Sequence, residues 1–160
     1  MNVIKVTITW KLALVLSISV LLALDFFNFY GLYSNKFYFH KIDNYIIPIL
    51  SIVHFSYLHQ FWSRIKENQF GSPQMRNLEY SLYIILFVYS FKFFDTLFIM
   101  LSYSEYENFL FPKTFLPVGF SILFLYAALI GLTFLVFSYR KEFIGTYLFD
   151  DMNQHVDHWN

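Results

Sequence analysis

The 160 residues contain no cysteine, which excludes disulfides, thiolate metal sites, CxxC redox chemistry and cysteine nucleophiles together. Glycine and proline are scarce, at five and four, so loops able to cradle a phosphate have little to be built from. The P-loop, the dinucleotide glycine fingerprint, GxSxG and HExxH are all missing from the chain. Charge is low as well: Asp, Glu, Lys and Arg make up 14% of residues, against about a quarter in soluble proteins. Eleven acidic residues balance eleven basic ones, which leaves no net field to attract nucleic acid.

What the chain has in quantity is apolar and aromatic surface, 58% hydrophobic with 22 Phe and 13 Tyr spread over its whole length. Four runs reach the roughly 20 residues that a helix needs to cross a hydrocarbon core of about 30 Å. They lie at about Trp10–Tyr33, Tyr45–Arg64, Tyr80–Tyr103 and Leu116–Tyr139. Short polar connectors join them, which makes consecutive helices antiparallel. The expected fold is therefore all-α, an up-and-down bundle of four transmembrane helices over residues 1–139, followed by a cytoplasmic tail at 140–160. The first run has a basic start and an apolar core, but it is long and lacks an A-x-A site, so it reads as a retained span.

Orientation follows from the basic residues outside the runs. With the N-terminus inside, Lys5, Lys11, Arg64, Lys66, Arg76, Arg140 and Lys141 face the cytoplasm, and Lys36, Lys41 and Lys113 face out. Trp10 and Trp62 then share the inner interface. The expected location is a cell inner (plasma) membrane, multi-pass, with both termini cytoplasmic.

Polar residues inside the runs carry the functional question. A charge at the centre of a spanning helix costs on the order of 2.5–3.5 kcal/mol on insertion scales, so each calls for a partner. Asp25 falls in the outer half of the first run, and His54, Lys92 and Asp95 fall near the middle of theirs, close enough in depth to form one intramembrane polar cluster. Lys92 and Asp95 are three positions apart and share a helical face. The cluster reads as a buried ion pair that fixes helix register, with a proton or ion path as the alternative. His59 follows His54 by five positions, a rotation of about 140°, so the two rings share a face poorly, which weakens a two-histidine metal site on this helix; His59 fits better beside Trp62. Small pairs at Ala13 and Ser17, Ser19 and Ala23, and Ala127 and Gly131 mark close helix contacts or a self-association face.

In the tail, Tyr147, Leu148, Phe149 and Trp159 read first as a segment resting on the membrane surface or docking on a partner; as the lesser alternative, Asp151, His155 and His158 would lie on one side of a helix and could hold a divalent metal. No other cofactor is expected, and no residue is singled out as catalytic. The reading as a whole is a small integral membrane protein that serves as a non-catalytic accessory or structural subunit among membrane-protein partners. A transport or proton-relay component and a membrane enzyme on a lipid-soluble substrate are the alternatives.

Overall fold

The computed structural model describes residues 8–103, 111–145 and 147. Four helices pack together: α1 (Trp10–Asn28), α2 (Ile46–Lys66), α3 (Pro73–Leu101) and α4 (Phe115–Phe143). Each helix touches its neighbours in the cyclic order α1, α2, α3, α4 and back to α1. Contacts at the helix ends fix the directions. The start of α1 meets the end of α4 through the Tyr139 hydroxyl, which donates to the Ile8 carbonyl. It also meets the end of α2 through the rings of Trp10 and Phe61. Glu79 near the start of α3 meets Arg140 near the end of α4. All neighbours are thus antiparallel, with one end of the bundle holding the start of α1 and the end of α4, called the terminal end below.

Local sequence explains most of the boundaries. Thr9 caps α1 by accepting from the Leu12 N–H. Ser72 does the same for α3 toward Met75, with Pro73 in the first turn, where its missing N–H leaves no bond unmade. That cap sets the start of α3 seven residues before the apolar run does. The expected first span runs to Tyr33, whereas α1 stops at Asn28. There the chain turns into a small hairpin, β1 (Tyr30–Gly31) against β2 (Lys36–Phe37), paired Tyr30 to Phe37 and Gly31 to Lys36. The side-chain amide of Asn28 donates to the Asn44 carbonyl, tying the helix end to the following connector. This hairpin lies at the end of the bundle opposite the start of α1 and the end of α4.

The exterior and interior are inverted relative to a soluble protein. Leu22, Phe26, Ile49, Ile52, Ile84, Phe87, Phe98, Phe120 and Phe124 are exposed, while Ser17, Ser51, His54, Glu79, Thr133 and Arg140 are buried. An apolar surface of this extent belongs in lipid. Three helices, α1, α3 and α4, are long and apolar enough to cross a membrane, not the expected four. The exception, α2, is diluted by Ser51, His54 and Tyr57, all of which point into the bundle. Its outward stripe, Ile49 and Ile52 in one half and Ser56, His59 and Trp62 in the other, is apolar only toward the hairpin end.

Of the small pairs, Ala13 and Ser17 are fully buried among the helices, whereas Ala127 and Gly131 face outward. His59 is exposed, its ring 6.3 Å from that of Trp62.

Candidate functional site

Polar side chains gather at two places in the bundle, joined by a line of rings through its interior. The first lies at the terminal end. Glu79 and Arg140, with side chains 3% and 8% exposed, meet at 2.5 Å. Tyr147 donates to Glu79 Oε2 at 2.5 Å, Tyr83 to Oε1 at 3.3 Å, and Tyr57 makes a long 3.5 Å bond to Oε2. Arg140 gives its other terminal nitrogen to the Gly145 carbonyl at 3.1 Å and stacks over the Tyr147 ring at 4.8 Å. Burial, followed by the hydrogen bond and charge of Glu79, pushes the Tyr147 phenol up from its ordinary value, so it stays a neutral donor.

Two glycines make this knot possible. Gly145, at φ +80°, ends α4 in the left-handed conformation that glycine adopts without strain, and turns the chain so that Tyr147 comes back over Glu79. Gly71 is buried, and a Cβ there would stand 2.6 Å from the Tyr147 ring. Sequence reasoning placed Arg140 at the membrane interface and passed over Glu79 altogether. The available signal was a lone Glu at the polar edge of an apolar run, in a helix with no other acid until Asp95.

The second place is the hairpin end. A cleft of about 420 Å³ opens between α1, α3, α4 and the hairpin, with Lys92, Asp95, Thr96 and Tyr126 among its walls and Tyr38 and Lys41 at its rim. Lys92 is half-buried and Asp95 is exposed. No ion pair within 4.0 Å links Lys92 to Asp95 or either of them to another described residue. Asp25 lies on α1 and accepts from the Ser51 hydroxyl of α2 at 2.8 Å. Tyr126 is within electrostatic reach of both Asp25 and Asp95.

The extent of α3 places the two charges away from the middle of the helix. Because α3 begins at Pro73, its centre is near Phe87. Counting 1.5 Å per residue, Lys92 is then roughly 8 Å and Asp95 roughly 12 Å toward the hairpin end. Asp25 is displaced the same way, roughly 9 Å from the centre of α1, and His54 stays within about 3 Å of the centre of α2. Depth therefore divides the four expected cluster residues. His54 occupies the centre, and the three charged groups occupy the hairpin half.

His54 is fully buried with both ring nitrogens lacking a hydrogen-bond partner among the described residues, and the Tyr89 hydroxyl is in the same position. The two rings stack at 6.0 Å. Tyr89 stands beside Ser51, whose proton is given to Asp25. Tyr126 follows at 6.5 Å from Tyr89. On the other side of His54, one turn along α2, Tyr57 reaches Glu79. Rings bearing hydroxyl or imidazole groups thus run from the cleft to the knot.

The expected metal ligands Asp151, His155 and His158 lie outside the described residues. Among the described residues no three His, Asp or Glu side chains gather as a metal site would need. What the fold and the apolar exterior define is the class, a small helical membrane protein. Comparison with protein-family models, curated proteins and solved structures gives no match that would carry this chain into a particular family.

Proposed function

We propose that this chain is a four-span membrane protein acting as a non-catalytic accessory or structural subunit of a larger membrane assembly. The observation that carries the reading is the terminal-end knot. The Glu79 carboxylate accepts from Arg140 and from three tyrosines, and together these groups fasten α2, α3, α4 and the segment after α4 in one register. A bundle fixed in this way presents constant outer surfaces to partner subunits or to a second copy. The outward-facing Ala127 and Gly131 leave a shallow place on α4 where another helix can approach closely.

The fourth crossing rests on chain direction. The terminal end holds the start of α1, the end of α2 and the start of α3, so a chain that leaves this end in α1 returns to it through α2. The basic residues Arg64, Lys66, Arg76, Arg140 and Lys141 flank this end, which supports a cytoplasmic placement in the plasma membrane. The absence of native cysteine makes the test direct. Single cysteines at Lys36 and Gln69 are labelled with a membrane-impermeant maleimide, and the expected result is labelling of position 36 from outside and of position 69 only after permeabilisation. Labelling of both from one side overturns four spans.

The functional reading is tested by affinity purification of the intact chain from its native membrane. Membrane subunits that co-purify in fixed ratio support it. A chain that emerges alone and conducts protons in liposomes overturns it in favour of the second reading, a relay, which the unpartnered His54 and Tyr89 groups favour. In that case His54→Phe abolishes the flux.

A further inference from the structure

The cleft at the hairpin end adjoins a second cavity. On the outward side of α3 a groove of about 480 Å³ is lined by Phe91, Phe94, Leu97, Phe98 and Leu101, and Asp95 forms part of both walls. One side of this carboxylate is therefore a cleft of mixed lining that holds the half-buried Lys92, and the other is an apolar surface that meets acyl chains. Lys92 and Asp95 are one turn apart on a single helix and make no ion pair with each other. Two opposite charges at this spacing present one cation and one anion to whatever occupies the cleft.

We infer that this double cavity binds a zwitterionic phospholipid from the leaflet on the hairpin side. The phosphate meets Lys92, with Lys41 at the rim, the headgroup ammonium meets Asp95, and an acyl chain lies in the phenylalanine groove. Depth agrees with the chemistry. Asp95 is roughly 12 Å from the helix centre, within one helical turn of the edge of a hydrocarbon core whose half-thickness is about 15 Å, and the long stem of Lys92 lets its ammonium reach from roughly 8 Å toward the same level. The tyrosine hydroxyls of Tyr38 and Tyr126 supply further neutral donors at the rim and floor of the cleft. An anionic lipid would place uncompensated negative charge beside Asp95, and a neutral diacylglycerol would leave both charges unpartnered. Selectivity for a headgroup carrying both signs is the consequence.

This inference rests on the bundle lying across a bilayer, and carbonate extraction of membranes tests that separately. A chain released by carbonate fails the membrane placement itself. The intact protein is then reconstituted with equal amounts of phosphatidylethanolamine, phosphatidylglycerol and diacylglycerol, extracted in mild detergent, and its retained lipid measured by mass spectrometry. The expected result is enrichment of phosphatidylethanolamine by about tenfold over the other two, the scale of one charge-assisted hydrogen bond. Asp95→Asn turns the preference toward phosphatidylglycerol, Lys92→Gln lowers retention of both phospholipids, and Asp95→Glu restores the original order. Since neither Asp95 nor Lys92 makes an ion pair among the described residues, these variants keep the wild-type helical spectrum. Free phosphoethanolamine at the same concentration leaves the lipid bound, because it lacks the chains. Equal retention of all three lipids by the wild type, an unchanged order in Asp95→Asn, or displacement by free phosphoethanolamine overturns the inference.

Discussion

At the terminal end Glu79 and Arg140 come from different helices and meet at 2.5 Å with almost no exposure. At the hairpin end Lys92 and Asp95 stand one turn apart on the same helix and do not meet. The difference lies in what surrounds each charge. Glu79 and Arg140 are enclosed by Tyr57, Tyr83 and Tyr147, so a low dielectric and several donors make the pair tight. Lys92 and Asp95 flank an open cleft, where a flexible ammonium gains little by ordering itself toward a carboxylate. Two charge pairs that look alike in composition thus act as a fastening at one end and an available surface at the other.

The sharpest way to break this comparison is to remove one partner at each end. Arg140→Met leaves Glu79 buried and uncompensated, and thermal unfolding in detergent should register a loss of about 3–5 kcal/mol. The double variant Glu79→Leu with Arg140→Met should recover most of that loss, since well-packed apolar residues replace buried pairs at little cost. If the single and double variants unfold alike, the knot is not a fastening. Gly71→Ala should come next, at about 1–3 kcal/mol, because the new methyl group pushes a rigid Tyr147 ring off Glu79.

A smaller effect sharpens the role of Tyr147. Its phenol is raised above 10.0 in the folded protein, so the stability it contributes is complete below pH 10 and declines as the pH rises beyond it. Tyr147→Phe should reduce the alkaline loss seen in wild-type melts; an unchanged alkaline limb would remove Tyr147 from the knot. The smallest expected change is at the hairpin end. Lys92→Leu or Asp95→Leu should alter stability by less than about 1 kcal/mol in either direction. A loss as large as that of Arg140→Met would make the two ends equivalent.

Much of the fold was legible in the sequence because apolar run length is a local property. The positions of α1, α3 and α4 follow from it, and the antiparallel order follows from the short connectors. The reading faltered where one face of a helix differs from its average. In α2 the inward Ser51, His54 and Tyr57 lower the hydropathy that an average detects, although the outward Ile49 and Ile52 suit lipid. The Ser72 cap is a further local detail: the run at Tyr80–Tyr103 centres on Lys92, whereas the helix that the cap starts centres near Phe87.

Composition and apolar run length determined that this chain belongs with lipid, that its long elements are helices and that thiol chemistry is closed to it, because each of these depends on residue type and local pattern. Which acid meets which base was decided only by the fold. Glu79 and Arg140 are 61 positions apart, and no local rule brings them together. Lys92 and Asp95 are three apart, and no local rule keeps them from pairing. The antiparallel packing of α3 on α4 accomplishes the first, and the opening beneath the hairpin accounts for the second.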